Sequence, residues 1–556
     1  MPTFPAFPAE YRHRFVDAGL WLDRTFPDYF AETVGRLPDK VAIVAGDRRI
    51  TFAQWADEAE RLAAGLVRLG LTKGDIVTVQ LPNWPEMCML QVALGRIGAV
   101  IQPMHMVYRQ REMGSMLRFC DSRAVVLPTA HRGFDYAAAL AEIRDTLPAL
   151  EFAITVRGEH AGCQRYDDLI VSADGLAAYE AAHPVSPDDV FYLNFTSGTE
   201  GNPKGFLHTH NTLLSQIKRF ADLQAMFDPD SVNDVVLANS PMSHSFGHLA
   251  TYQVFIRGIR MVMVEHFDPS ETLRIIDRER VTAISGTPAH LISLLNHPDF
   301  GKYDLTCIKG VGVGGAQCPP QLMADIEAKF GVRIGNMYGM GENLLHTRTL
   351  PSDPPEIIRQ TVGLPVPGAE LKIFLESREA EAPVGTVGEI AFRGPTLFVG
   401  YYKNPELTQA TRNADGWFFT GDLGYVDANG YLHLAGRKKE MINRGGTKIF
   451  PKEIEDLLHS HPKILKAAVV GMPDYRLGER VCAYVVPREN QSVTLDEVKA
   501  FLVELKVMKH NIPERLEVVD DLPMTPTGKI KKDPLVQDIT AKLTAEGRRG
   551  QAEGRA

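Results

Sequence analysis

The sequence predicts an α/β protein. A large N-terminal domain of βα units with a small barrel-like β subdomain is expected, followed by a small α+β C-terminal domain. Three observations carry this expectation. The chain has 556 residues, more than one compact unit holds at about 100–200 residues per domain. Up to about residue 360, short apolar runs alternate with helical-period stretches and Gly/Pro punctuation, the rhythm of βα units building a largely parallel sheet. Beyond residue 363 the runs turn short and alternating, with glycine turns between them, which reads as antiparallel strands or a small barrel.

Each element follows from a local pattern. From Thr51 to Leu69, Trp55, Leu62, Leu66 and Leu69 recur at helical spacing. The runs DIVTVQLP, AVIQPM and RAVVLP read as strands, separated by a helix from Glu86 and another near Met113–Cys120. MVMVEH and TAISGTP continue the series around a helix near Ser270–Glu279. AELKIFL, GEIAFRGP and GYLHLAG are the alternating segments. After Arg437, a helix near Pro451–Ser460, two strands (KAAVVGMP and RVCAYVVP) and a helix near Leu495–Leu505 suggest an α+β domain of about a hundred residues. The expected boundaries are 1–437, 438–541 and a polar, frayed tail over 542–556. No solenoid period is found.

Composition narrows the function. The chain is 44% hydrophobic and 23% charged, an ordinary globular balance. Sixty Lys+Arg against 69 Asp+Glu leave a net charge of −9, which argues against a nucleic-acid partner, since such binding needs clustered positive charge. Six cysteines without a CxxC pair suit a reduced, cytoplasmic chain. The stretch Met87 to Met104 is interrupted by Arg96 and two glycines, too broken for a membrane span.

The most informative stretch is FYLNFTSGTEGNPKGFLHTHN, residues 191–211. An apolar run ends in Thr196, Ser197, Gly198, Thr199, Glu200 and Gly201, followed by Lys204. Small residues let backbone N–H groups approach phosphate oxygens, and hydroxyls and a lysine add donors and charge. It is not a Walker A loop, because Pro203 takes the place of the second glycine. Taken alone, a flexible hydroxyl-rich loop accounts for it equally.

TSGTEGNPKG resembles the TSGTTGxPKG signature of the ANL superfamily of adenylate-forming enzymes, which includes acyl-CoA synthetases, peptide-synthetase adenylation domains and luciferases. Five further motifs follow in that family's order: Val311 to Ala316 through Gly314-Gly315, NMYGMGE (336–342), GWFFTGD (416–422), GRKKEMINRGGTKIFPKEIE (436–455) and PTGK (526–529). The resemblance covers nearly the whole chain. It implies ATP-dependent activation of a carboxylic acid to an acyl-AMP, then transfer to CoA, with Mg²⁺ accompanying the ATP. Loading of a carrier-protein thiol by a stand-alone ligase is the alternative. Dimers are common in the family.

The resemblance also implies roles. Lys529 bridges carboxylate and α-phosphate, and Glu342 holds Mg²⁺, a hard cation suited to carboxylate and phosphate oxygens. Thr196, Ser197, Gly198, Thr199, Gly201 and Lys204 cradle the phosphates. Gly314, Gly315, Ala316, Asn336, Tyr338 and Gly339 surround the adenine, and Asp422 with Arg437 takes the ribose hydroxyls. Lys439 falls at the hinge about which the small domain rotates. Gly445 and Gly446 then serve the thiol tunnel. Without the resemblance, each has a plainer role: Lys529 a surface lysine, Glu342 an N-cap or surface acid, Tyr338 core packing, Asp422 a turn residue, Lys438-Lys439 a solvated pair.

His244, Ser245, Phe246, Gly312 and Met340 are the acyl-pocket candidates, with Thr287, Pro288 and Ala289 weaker ones. INRGG, GMGENLLHTRTL and AEYRHRFVDAGLW resemble the aryl-acid branch. The asparagine that follows the pocket histidine there is Ser245 here, so selection of a ring hydroxyl is not expected. A less polar acid is expected: aromatic, alicyclic or fatty. Glu200 and Gly341 also depart from the family pattern, the latter standing where Thr or Ala is common. His244 and His248 have the i,i+4 spacing of a zinc pair, but no third ligand stands nearby. Cys307 and Cys318 read as small hydrophobes rather than nucleophiles.

Overall fold

The structure, a computed structural model, describes residues 4–195, 204–215, 217–218, 229–315, 318–350, 352–525 and 529–553. Two large sheets form the bulk of the molecule. In the first, strands Ile334–Met340, Gly310–Val313, Ala283–Gly286, Val235–Ala238, Arg260–Met263 and Val41–Ala45 run parallel side by side. The second centres on parallel strands Val190–Phe195, Val100–Pro103, Ile76–Val79, Ala124–Pro128 and Phe152–Val156. Parallel strands need both faces covered, which explains their unbroken apolar sequences.

The covering helices form where the sequence predicts them. Phe52–Leu69 starts on a Thr51/Gln54 capping box and stops at Gly70, an N-terminal signature that satisfies two orphan donors at once. Pro85–Ile97 is apolar on nearly every side because it is buried throughout its length. Both helices, with Phe26–Arg36 and Ser245–Arg257, contribute to the largest apolar core. Among the described residues, no helix is long and apolar enough to cross a membrane.

Strands Glu370–Phe374, Gly388–Arg393, Phe418–Val426 and Leu432–Arg437 form an antiparallel sheet in that linear order. From Ile442 onward the chain builds its own five-stranded sheet, whose long hairpin is Ile464–Asp474 with Gly478–Pro487. The helix that follows extends into the 542–556 segment. Helix Lys532–Glu553 runs through most of it, because Leu535, Ile539 and Leu543 pack at one-turn spacing on that hairpin and Arg515 grips Glu546 at 2.8 Å.

Candidate active site

A cavity of about 2100 Å³ opens where the two large sheets, the antiparallel sheet and the C-terminal part meet. It lies beyond the C-terminal ends of strands Val190–Phe195, Gly310–Val313 and Ile334–Met340, where open parallel sheets place their ligands.

Asp422 and Arg437 are brought together by strand register. They are direct cross-strand partners of Phe418–Val426 and Leu432–Arg437, and the guanidinium Nε lies 3.4 Å from Asp422 Oδ1. Tyr338, on Ile334–Met340, donates its hydroxyl to Asp422 Oδ2 at 2.6 Å. Its ring also packs on Phe392, so core packing and a polar contact coexist in one side chain. Thr420 Oγ1 accepts the Asp422 backbone N–H at 3.0 Å. Burial raises the Asp422 carboxyl above the usual range, opposed by Arg437.

Glu342 follows Ile334–Met340 and is buried. Tyr401 donates its hydroxyl to Glu342 Oε1 at 2.8 Å. Oε2 is buried and has no hydrogen-bond partner among the described residues. Burial raises this carboxyl too, opposed by the Tyr401 bond. A buried carboxylate oxygen with no donor is costly unless a cation or donor joins it, so this oxygen has the chemistry that suits a hard divalent cation such as Mg²⁺.

Lys529 pairs with Thr525 through two hydrogen bonds. Its N–H donates to Thr525 Oγ1 at 3.0 Å, its carbonyl accepts the Thr525 N–H at 2.7 Å, and Met524 bridges Ile530. The side chain lines the cavity. Burial and the neighbouring Arg437 push its ammonium down to about 8, against the pull of Asp422 and Glu342. His244 is the N-cap of Ser245–Arg257, its Nδ1 accepting the Phe246 N–H at 3.3 Å. Burial, then Lys529, drive it down to about 3, so it is neutral beside the lysine.

Helix Ser245–Arg257 has two unlike faces. Thr251, Tyr252, Val254 and Phe255 are buried in the core. Phe246, Leu249, Ala250 and Gln253 line the cavity instead. His248 belongs to the core face, held by Gln91 at 2.8 Å and Tyr252 at 2.9 Å. Among the described residues no cluster of His, Cys, Asp or Glu is placed to hold a metal ion by itself. Cys318 is buried and its thiol is raised by burial. Cys307, half-buried, is raised by the same cause.

Lys204, Gly314, Gly315, Asn336, Gly339, Ser245 and Met340 also line the cavity. Of the weaker pocket candidates, Pro288 and Ala289 line it and Thr287 does not. Asn336 spends its side-chain amide on the Thr361 carbonyl at 2.8 Å, and Ser245 accepts from the Tyr192 hydroxyl at 3.2 Å. Thr196, Ser197, Gly198, Thr199, Gly201 and Ala316 lie outside the described residues, as does Glu200. Gly312 does not line the cavity, contrary to expectation: Ser285 Oγ and the Met337 methyl stand 2.7 and 2.9 Å from where its Cβ would be. Gly445 and Gly446 form the turn of hairpin Ile442–Arg444/Thr447–Ile449 with φ of 58° and 91°, values that favour glycine in a two-residue turn. That turn is not part of the cavity wall, whereas Lys439 is.

Gly341 has a structural cause. A Cβ there would meet the Phe206 ring at 2.3 Å. The residues missed by sequence reasoning are Tyr401, Thr420, His105 and Arg348. His105 lines the cavity with its Nδ1 2.8 Å from Ser243 Oγ. Burial lowers Arg348 to about 10.

The family model of AMP-binding enzymes matches residues 30–402, and that of their C-terminal domain matches 453–529. The medium-chain fatty-acid–CoA ligase of Escherichia coli K12 is 32% identical over 544 residues, covering 97% of this chain and 95% of its own length. The 2,3-dihydroxybenzoate-AMP ligase of Bacillus subtilis is 32% identical over 545 residues, covering 98% of each. Among solved structures, ATP-bound MatB from Rhodopseudomonas palustris superposes with a TM-score of 0.79 at 27% identity, covering 92% of this chain and 99% of that one.

Proposed function

The chain belongs to the AMP-binding enzyme family, and on that premise we propose that it activates a carboxylic acid with ATP and passes the acyl group to CoA. A carboxylate oxygen attacks the α-phosphorus, the bond to the β-bridging oxygen breaks, and pyrophosphate leaves. The thiol sulfur then attacks the acyl carbon, its proton is lost, and AMP leaves. The first step brings anion to anion, so it needs fixed positive charge where charge builds up.

The observation that carries this reading is the placement of Lys529. Its ammonium belongs to the C-terminal part of the chain, yet it lines the same cavity as Glu342, Asp422 and His244 and interacts electrostatically with all three. A neutral His244 suits an acyl pocket, since it adds no competing charge beside the carboxylate. Asp422 is set to accept ribose hydroxyls, with Tyr338 and Arg437 holding it. Glu342 would hold Mg²⁺, which supplies charge neutralisation at the phosphates. Lys204 and residues 196–201 would serve the phosphates, and Gly314, Gly315 and Gly339 the nucleotide base.

We assign the boundary between the two working parts near Arg437, with Lys439 as the hinge. Gly445 and Gly446 then meet the thiol only after the C-terminal part turns. The acid is apolar, bound along Phe246, Leu249, Ala250 and Met340. A carrier-protein thiol is the second reading, favoured by the likeness to an aryl-acid AMP ligase. Localisation is taken as cytoplasmic. Incubation with ATP, Mg²⁺ and a panel of acids, with and without CoA, tests both readings. Acid-dependent pyrophosphate exchange and CoA-dependent acyl-CoA formation are expected. Exchange without any acyl-CoA product transfers the reading to a carrier, and no exchange with any acid overturns adenylation.

A further inference from the structure

Glu342 is gripped by residues remote from it in sequence. The Phe398 N–H donates to its backbone carbonyl at 2.7 Å. Tyr401, 59 positions away, donates to Oε1 at 2.8 Å. His208 Nε2 donates to the preceding carbonyl, that of Gly341, at 2.7 Å. Strand Gly400–Tyr401 pairs with Gly205–Thr209 so that Phe206 stands opposite Tyr401, and the Phe206 ring is the one that closes on Gly341.

The segment carrying Tyr401 is itself anchored. Arg412 donates to the carbonyls of Phe398 and Val399. Upstream, Trp21 Nε1 donates to Pro395 O at 2.8 Å and the Tyr11 hydroxyl to Gly394 O at 2.9 Å. The Tyr401 ring packs edge-on against Phe398. A phenylalanine would serve that packing equally well. What the hydroxyl adds is its bond to Glu342, and an O–H to a carboxylate is among the stronger hydrogen bonds.

We propose that Tyr401 is a positioning residue for Glu342: it commits one carboxylate oxygen and fixes the side chain so that Oε2, which has no partner among the described residues, is left for the divalent cation accompanying the nucleotide. The inference rests on the adenylating reading above. It concerns how the carboxylate is oriented and not which residue reacts.

Tyr401→Phe tests it. The Mg²⁺ concentration for half-maximal pyrophosphate exchange is expected to rise about tenfold, as for loss of a hydrogen bond to a charged group, while kcat at saturating Mg²⁺ changes less than about threefold. Mn²⁺ binding in the presence of a non-hydrolysable ATP analogue, read by electron paramagnetic resonance, weakens about tenfold. Affinity for the analogue without metal is unchanged. In a Glu342→Gln background, Tyr401→Phe adds no further shift in metal dependence. A second variant, Arg412→Lys, keeps the hydroxyl but loosens its support, and shifts Mn²⁺ affinity the same way by less. Unchanged Mn²⁺ affinity in both folded variants overturns the proposal, as does an equal further loss in the Glu342→Gln background. Absence of exchange in the unaltered protein sinks the adenylating reading instead, and the Mn²⁺ measurement still decides this inference.

Discussion

Two buried carboxylates face the same cavity and are finished differently. Asp422 has both oxygens engaged, one by the Tyr338 hydroxyl and one by Arg437. Glu342 has one oxygen held by Tyr401 and the other without a partner among the described residues. Burial raises both carboxyls. An acid whose lone pairs are already shared suits neutral hydroxyls that need one more acceptor. An acid left half-satisfied in a low-dielectric wall suits a cation. Between them, Lys529 is pulled upward by both and pushed downward by burial and Arg437.

Removing the ammonium that the two acids share breaks this contrast most severely. Lys529→Ala is expected to lower acid-dependent pyrophosphate exchange about 10²–10³-fold, as for loss of a preorganised transition-state partner. Thiolysis of a chemically prepared acyl-AMP should stay within a few-fold, and exchange at the unaltered rate would refute the role. Glu342→Gln should cost about 10²-fold at physiological Mg²⁺, partly restored by excess Mg²⁺. Asp422→Asn should raise KM for ATP about tenfold with no change in Mg²⁺ requirement, and should shrink the preference for ATP over its 3′-deoxy analogue. An Mg²⁺-dependent defect in Asp422→Asn would erase the distinction between the two acids.

The smallest effect is in pH. On the proposed role of Lys529 the protonated form is the active one, so kcat/KM for exchange is expected to be lost as pH rises through about 8. A drop of about fourfold is expected between pH 7 and pH 8.5. Asp422→Asn should move that break to lower pH further than Glu342→Gln does, because Asp422 pulls harder on the ammonium. A break that stays in place in both variants would detach Lys529 from the pair.

Much of the fold was legible because parallel strands and their covering helices advertise themselves locally. Strict periodicity is not needed to find Ile76–Val79 or Pro85–Ile97: an apolar run bounded by Gly or Pro suffices. Glu342, Asp422 and Lys529, singled out by the order of their motifs along the chain, line one cavity. The grip on Glu342 was not legible, since Tyr401 and His208 bond to Glu342 and the Gly341 carbonyl across 59 and 133 positions. Gly312 stands behind Ser285 and Met337, which line the cavity in front of it, and nothing in its sequence neighbours announces that placement. The helix entering the 542–556 segment was not read from its polar composition, because the apolar residues that anchor it, Leu535, Ile539 and Leu543, stand mostly before that segment.

The ion pair between Lys448 and Glu376, at 2.9 Å, joins the hairpin of Gly445 and Gly446 to the antiparallel sheet's loop. It is exposed, so by itself it restrains little. Its location nonetheless marks where a covalent staple would act. Joining the Lys448 ammonium to the Glu376 carboxylate as an amide, with a carbodiimide, would lock the lobe as it stands. If thiol transfer needs the proposed turn of the C-terminal part, an enzyme so locked would charge its acid once and keep it, a stalled catalyst holding an activated mixed anhydride.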